Sequence, residues 1–251
     1  MTNTFSLQQP AFYWCFDKTG SAIFSALILF ILSTPIALKA QQLEVRGSLN
    51  SGFYSYSGNG AVSVSRINGT SHTNNPYGSR GGLSYGLSLN IRKVTKSNFI
   101  FGADLGYEML RSKVKLDYSD VIGDIASDFE GRTYLNTSFI NLFPFLGRRF
   151  NMSQQAFDLV AGLDIGHVLK ARENGDAKST DNAAFHIETS RDRKSLNRDL
   201  RARIQLSTDF GKMGVYAGYA HGVRNYRAGL DGMTVEAYSR MWRVGVTYRL
   251  K

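Results

Sequence analysis

Cysteine is almost absent from this chain. The single cysteine, Cys15, lies within the first 40 residues, and the residues before it (Phe12-Tyr13-Trp14) are not the small residues that a lipoprotein signal needs. We therefore expect neither a lipid anchor nor a disulfide. An exported form of this chain must be stabilised by something other than disulfide bonds.

Long apolar runs are also scarce. One extends from Ala22 to Leu32, and it is shorter than the about 20 residues that a membrane-spanning helix needs. Lys18 precedes the run and Leu38-Lys39-Ala40 follows it, an order typical of a secretory signal peptide. We predict a signal peptide over 1–40 and a mature domain over 41–251, with a retained membrane anchor as the alternative. Cleavage after Ala40 would remove two lysines and one aspartate and lower the net charge from +10 to +9.

Beyond residue 40 the sequence contains no apolar run of membrane-helix length and no amphipathic helix of useful length. Proline is scarce, glycine and tyrosine are plentiful, and the mean hydropathy is −0.22. An exported chain can still enter a membrane as a closed β-barrel, because strand pairing satisfies every backbone group. The sequence signature of such a barrel is a series of alternating segments of about 10 residues separated by turn residues.

The clearest alternating segment runs from Phe157 to Val168. Apolar residues alternate there with small or acidic residues, among them Asp158 and Asp164. Because a strand turns successive side chains to opposite faces, this segment has one apolar face and one polar face. We predict that the apolar face points outward into lipid; in a soluble barrel it would instead form the core.

Eight such segments occur along the mature chain. We predict strands over 43–54, 82–94, 98–113, 132–146, 157–172, 196–210, 213–226 and 238–250. Pro144 interrupts the fourth, so a bulge or a strand end is expected near it, since proline donates no hydrogen bond. The connections alternate between long and short, which is typical of outer-membrane barrels with short periplasmic turns. The segments 55–81, 114–131, 173–195 and 227–236 are then external loops.

The polar faces carry charges of both signs. An eight-stranded barrel has room inside only for side chains, so opposite charges there can pair and fill the lumen. We predict a structural network of lumen charges comprising Asp104, Glu108, Asp158, Asp164, Arg201, Arg203, Arg243 and Arg249. The alternative is that these residues face water around a soluble apolar core.

Several segments resemble a known family. The stretch Ile140-Asn141-Leu142-Phe143-Pro144-Phe145-Leu146-Gly147-Arg148-Arg149-Phe150, with Phe157-Asp158-Leu159 and Gly162-Leu163-Asp164-Ile165-Gly166, is similar to the small PorT-like outer-membrane β-barrels of Bacteroidetes. The resemblance implies an all-β, eight-stranded antiparallel transmembrane β-barrel of OmpA/OmpX-like architecture in the Gram-negative outer membrane. The founding member of that family is linked to a secretion system.

The C-terminal tail resembles the terminal strand that the barrel-assembly machinery reads. That signal would comprise Trp242, Val244, Val246, Tyr248 and Leu250. The family usually ends in an aromatic residue, whereas this chain has Leu250 followed by Lys251.

Residues that could support catalysis are few. His186 lies near Asp181 and Glu188, and no histidine has metal-ligand spacing to another, so we expect no enzyme activity, metal or cofactor.

The basic residues are spread without a patch, which favours outer-membrane lipids and lipopolysaccharide over nucleic acid as partners. The sequence thus predicts a structural or interaction protein that meets an unknown protein partner through external loops or periplasmic turns. A barrel that transports or binds a small solute or hydrophobe is the alternative.

Overall fold

The protein is a ring of eight antiparallel strands in the computed structural model. The structure describes residues 42–68, 72–122, 125–153, 155–180, 186–193, 197–228 and 235–251, and of residues 42, 68, 117–122 and 125–127 it describes the backbone alone. The predicted signal peptide over 1–40 and Asp181 lie outside these ranges. Within them, no helix is long and apolar enough to cross a membrane.

Each ring strand pairs with its neighbours in sequence, and the last strand pairs with the first. The strands are β1 (Gln42–Ser57), β2 (Arg80–Val94), β3 (Phe99–Ile122), β4 (Ile125–Met152), β5 (Gln155–Ser179), β6 (Arg198–Phe210), β7 (Met213–Gly222) and β8 (Tyr238–Arg249). The closing ladder places Phe53 of β1 opposite Trp242 of β8. The prediction of an all-β, eight-stranded antiparallel barrel is confirmed.

Tight turns lie at one end of the ring, which we call the lower end. The turns between β2 and β3, between β4 and β5 and between β6 and β7 each contain a residue with positive φ, namely Asn98, Ser153 and Gly211. Asparagine and glycine tolerate this left-handed backbone better than most residues. The three chain connections at the lower end are therefore short, and the first and last strands pair directly with each other.

The outer face of the wall is apolar on every strand. Side chains between 45 and 62 % exposed include one from each strand: Leu49, Leu87, Leu105, Ile140, Leu163, Ile204, Val215 and Val244. Asp158 and Asp164 are buried on the inner side, because each is adjacent in sequence to residues of the outward apolar face of β5. A continuous apolar belt of this extent belongs in lipid and not in water, so the ring is a transmembrane β-barrel.

Three strands extend well beyond the predicted bounds. The segment 114–131 was predicted to be a loop, but β3 and β4 continue through it as a paired hairpin that ends with Ile122 opposite Ile125. Likewise β5 continues to Ser179 and pairs with a further strand, His186–Asp192. These corrections have one cause: backbone pairing needs no apolar outer face once a strand leaves the lipid, so polar sequence does not end it.

The remaining upper connections also differ from simple loops. The 58–79 segment contains three short strands, Val64–Ser65, Ile67–Asn68 and His72–Thr73. At the end of β7, pairing stops at Gly222 and not at 226, because Asn225 Oδ1 accepts hydrogen bonds from the backbone nitrogens of Arg227 and Ala237.

The expected bulge or strand end near Pro144 is wrong. Strand β4 runs through the proline, which pairs with Ala103 of β3. The ladder to β5 keeps the same register on both sides of it, from Leu142 opposite Ile165 to Phe145 opposite Gly162. Proline removes one backbone donor, and here the paired residues on either side and the intact β3 ladder hold the strand.

We predict that Leu163→Arg prevents stable assembly, because Leu163 lies on the outer face of β5 within the apolar belt. An arginine at mid-bilayer costs about 2–4 kcal/mol in such barrels. The measurement is the shift between heated and unheated protein on a gel after refolding into bilayers. Leu163→Met is the matched control and should shift as wild type does; normal folding of the arginine variant would contradict the outward assignment of this face.

Candidate functional site

The lumen is the first candidate site, because the inner face of every strand carries polar residues. The structure places all eight predicted charged residues on the lumen side of the wall and joins them to six others that the prediction omitted. The omitted residues are Glu44, Arg46, Arg92, Arg149, Asp199 and Asp209. Together they form two ionic layers, one above the other.

The lower ionic layer lies near the tight turns. Arg92 bridges Glu44 at 2.7 Å and Asp158 at 2.9 Å. Arg149 holds both oxygens of Asp158, with Nε at 2.7 Å and a terminal nitrogen at 2.9 Å. Each carboxylate of this layer is shared between arginines from different strands, so the layer ties the wall together across the lumen.

The sixth strand completes this layer. The carboxylate of Asp209 in β6 accepts hydrogen bonds from Arg46 of β1 at 2.5 Å and from Arg249 of β8 at 2.8 Å. Arg249 is about one-third exposed, so it forms the lower rim of the layer.

The central ionic layer is fully buried. Asp164 lies 3.2 Å from terminal nitrogens of both Arg201 and Arg243, and Arg243 also reaches Glu108 at 2.9 Å. Asn141 donates to Glu108 and Asp164. Asp164 is 0 % exposed, so the two guanidinium groups share a carboxylate that water does not reach.

Two aromatic rings complete this layer. Arg203 lies 4.1 Å from the centroid of the Phe143 ring and 3.6 Å from Asp104, and Arg201 lies 5.3 Å from the ring centroid of Phe139. A cation over an aromatic face is stabilised by the ring quadrupole, most strongly when it is desolvated. The two rings therefore stabilise the buried guanidinium groups of Arg201 and Arg203 in addition to their carboxylate partners.

The charges of the two layers balance. Seven carboxylates (Glu44, Asp104, Glu108, Asp158, Asp164, Asp199 and Asp209) face seven arginines (Arg46, Arg92, Arg149, Arg201, Arg203, Arg243 and Arg249). All the cations in this set are arginines, whose planar, forked guanidinium can serve two carboxylates at once. The barrel interior is thus an internally neutral ionic plug.

A layer of tyrosines lies above the central layer. Tyr54 and Tyr56 are 0 % exposed, and the ring of Tyr56 packs edge-on against Tyr77 and Tyr226 at 5.0 Å. Leu110, Leu135, Phe139 and Met241 pack into the same cluster. Burial raises the pKa of Tyr226 well above its usual range, so this layer stays uncharged.

The second candidate site is the part of the molecule above the ring, which we call the external lobe. It consists of 114–122, 125–133, 171–179, the strand His186–Asp192 and the described residues of the 58–79 segment, 58–68 and 72–79. Inside it Glu173, 0 % exposed, accepts hydrogen bonds from the backbone of Thr73 at 2.9 Å and from Arg193 at 2.6 Å. Ile67, Leu116, Phe129 and Ala177 form a small apolar core there. The 58–79 segment is therefore fastened to the lobe and not free in solvent.

A bulge makes this arrangement possible. Between β4 and β5 the register shifts from Phe139 opposite Val168 to Ser138 opposite Lys170, so Leu169 is an extra residue. One extra residue reverses which side chains face inward. Below the bulge Asp164 faces the lumen, and above it Glu173 does.

The sequence held a usable signal for most of the missed residues. Glu44, Arg46 and Arg92 lie on the polar faces of the first two predicted strands, where the period-two rule already turns them inward. Glu173 carried no such signal, because only the bulge at Leu169 turns it inward.

The other predicted residues are placed as follows. Trp242, Val244, Val246, Tyr248 and Leu250 are all exposed on the outer face at the C-terminal strand. His186 Nε2 lies 3.5 Å from Glu188, and both side chains are exposed on the lobe. Among the residues that the structure describes, no three His, Cys, Asp or Glu side chains group in a way that could hold a metal ion.

Comparison with known proteins gives weak likenesses. No protein-family model matches the chain, and no curated protein matches it. Similar solved structures include Ail, the attachment invasion locus protein of Yersinia pestis, in complex with the heparin analogue sucrose octasulfate: identity is 12 %, over 83 % of this chain and 99 % of that chain, with a TM-score of 0.35. Neisserial surface protein A is 10 % identical over 84 % of this chain and 100 % of its own, also with a TM-score of 0.35. These values carry no functional argument, and the fold rests on the strand ring itself.

We predict that Asp164→Asn destabilises the barrel by about 3 kcal/mol, since it leaves Arg201 and Arg243 short of one buried carboxylate. Urea unfolding from detergent micelles measures the change. Asp176→Asn removes the same charge from an exposed site on the lobe and should change stability by less than about 0.5 kcal/mol. Equal losses in the two variants would show that the central layer does not carry stability.

Proposed function

We propose that this protein is an integral outer-membrane barrel that acts as a non-enzymatic scaffold and presents its external lobe to a partner. The observation that carries the proposal is the closed lumen. Two ionic layers and a tyrosine layer fill it, so the polar interior is occupied by the protein's own side chains. What is left for contact with a protein partner is the surface at the two ends.

The two ends differ, and the difference supports an orientation. The lower end has short turns, and the upper end carries the lobe. Outer-membrane barrels have short periplasmic turns and longer external connections. We propose that the lower end faces the periplasm, that the lobe lies outside the cell, and that a signal peptide over 1–40 directs export.

The lobe is suited to binding because it is an extension of the barrel wall. The β3–β4 ladder continues without a break in register from Phe99 opposite Arg148 to Ile122 opposite Ile125. At 3.2–3.4 Å per residue the hairpin rises roughly 30 Å beyond the last β2–β3 pair, Arg80 and Lys113. Binding residues are often carried on segments held by a rigid scaffold, and this lobe fits that arrangement.

The finer assignments are proposals too. Similarity to PorT-like barrels of Bacteroidetes suggests a part in secretion or envelope assembly. The outward row that ends the chain, from Trp242 to Leu250, is proposed to be the strand that the barrel-assembly machinery reads. The His186 and Glu188 side chains are both exposed to solvent, which supports the view that they make a surface contact and are not a catalytic pair.

Transport of a small solute is the alternative function, and electrical measurement separates the two. We expect purified protein in planar bilayers to give no steady single-channel conductance, because the ionic layers block the lumen. The heat-dependent gel shift of the same sample confirms insertion. A steady conductance from folded protein would overturn the scaffold proposal.

We expect the partner to contact the lobe. A photo-reactive amino acid placed at Thr180, an exposed position on the lobe, should give a crosslinked species in intact cells. The control position is Lys96, exposed in the β2–β3 turn at the opposite end. Crosslinks from Lys96 but not from Thr180 would place the partner in the periplasm and contradict the role of the lobe.

A further inference from the structure

We propose that four basic residues on the outer wall bind the phosphate groups of a phosphorylated glycolipid in the outer leaflet. We call Arg80, Arg111, Lys113 and Arg132 the cationic patch. The sequence indicated no basic patch, and that expectation is wrong here because only the pairing of β2, β3 and β4 brings these residues together. The inference rests on the proposed function, because it requires that the barrel lies in the outer membrane with the lobe outside.

The patch lies directly above the apolar belt. Along the outer face of β3, Leu105 and Tyr107 are followed by Met109, and then by Arg111 and Lys113. Successive outward residues of a strand are about 6.6 Å apart. The cations therefore begin within about two such steps of Tyr107, at the level where lipid headgroups meet the hydrocarbon region.

A register shift brings Arg80 into the patch. Between Gly81 and Tyr85 the pairing of β2 with β3 slips by one residue, so Arg80 lies opposite Lys113 and is exposed on the outer face. Tyr85 and Leu83 face outward, so strict alternation along β2 would turn even-numbered Arg80 toward the lumen. The shift turns it outward instead. The irregularity thus adds a fourth cation to the outer wall.

Two of the patch cations lie directly opposite each other. Arg80 and Lys113 are directly opposed across the β2–β3 ladder. Arg132 lies between Lys115 of β3, which pairs with Glu130, and Asp176 of β5, so the repulsion is concentrated at Arg80 and Lys113. Like charges in directly opposed positions of neighbouring strands destabilise a sheet. A phosphate placed between such side chains would turn that repulsion into attraction.

Among the described side chains, no ion pair within 4.0 Å joins a carboxylate to a patch residue, although Asp176 lies opposite Arg132 in the β4–β5 ladder. The ion pairs on the outer face there are Lys115–Glu130, Lys170–Asp192, Arg172–Asp192 and His186–Glu188. None of them includes a patch residue. The acids of these pairs lie mostly on the β5 side of the lobe, whereas three of the four patch residues lie on β2 and β3.

One guanidinium of the patch is held in position. Arg111 Nε donates to Asn136 Oδ1 at 2.6 Å, and the guanidinium lies 5.4 Å from the ring centroid of Tyr134. These contacts use Nε and one face, and they leave the two terminal nitrogens, a pair suited to two phosphate oxygens. A fixed guanidinium loses little side-chain freedom when an anion binds.

The neighbouring polar side chains favour a glycolipid over a simple phospholipid. Ser138, Asn136, Tyr134 and Asn174 lie on the same outer face beside the patch, in register with Met109, Arg111 and Lys113. Amide and hydroxyl groups can hydrogen-bond to sugar hydroxyls while the cations hold the phosphates. The wall above the belt thus matches a headgroup that carries both sugar and phosphate.

The test is lipid binding to the folded full-length mature chain in neutral detergent, titrated with fluorescent lipids. The probes are bis-phosphorylated lipid A, the same lipid A without its phosphates, and phosphatidylglycerol. We expect the phosphorylated lipid A to bind about tenfold more tightly than either other probe, and Arg80→Gln with Lys113→Gln to remove most of that preference. Raising the salt concentration should weaken the preference in the wild type.

The matched control combines Arg198→Gln with Lys178→Gln, which removes two exposed cations from outside the patch. It should keep the wild-type preference within about twofold. Equal binding of lipid A with and without phosphates, equal binding of phosphatidylglycerol, or an equal loss in the control would each overturn the inference. If one of these outcomes is found while the protein still shows the heat-dependent gel shift and conducts no current, the lipid site is contradicted and the scaffold proposal stands.

Discussion

Charge neutrality inside a narrow, closed ring is the constraint on which the rest of this structure depends. Eight strands enclose a lumen that side chains alone can fill, so each inward charge must find its partner among other inward side chains. A buried charge that has lost its partner is strongly destabilising. Seven carboxylates and seven arginines meet this requirement in two layers. The pairs cross the lumen, as between Arg46 of β1 and Asp209 of β6, so they also hold opposite walls together.

The filled lumen moves any contact with other molecules to the outer surfaces. Above the ionic layers the tyrosine layer closes the upper opening, and buried Glu173 fastens the 58–79 segment to the lobe. The same wall that spans the membrane therefore carries the lobe as a supported sheet. Immediately above the apolar belt, the outer face of that sheet turns basic on its β2–β3 side and mixed in charge on its β5 side. Membrane attachment and partner binding can then use different faces of one element.

Two single-residue irregularities give these surfaces their character. The extra residue at Leu169 turns Glu173 inward, where it anchors the lobe interior. The shift between Gly81 and Tyr85 turns Arg80 outward, where it faces Lys113. In both cases one residue reverses the facing of every residue beyond it, because the side-chain period of a strand is two. Bulges of this kind are common at barrel rims.

The sequence by itself determined the number and order of the ring strands and, within the belt, which side chains face lipid. Alternation from Phe157 to Ile165 already places Leu163 and Asp164 on opposite faces, because the strand backbone fixes the direction of each side chain. It failed where polar residues continue a strand, as over 114–131, and at Pro144, since polarity and one missing donor do not end a paired ladder. Only the tertiary structure decided which charges meet, such as Asp164 with both Arg201 and Arg243, and where facing reverses. Those outcomes depend on the register of the strands around the closed ring. Pairing with neighbouring strands sets that register, and no single segment of sequence encodes it.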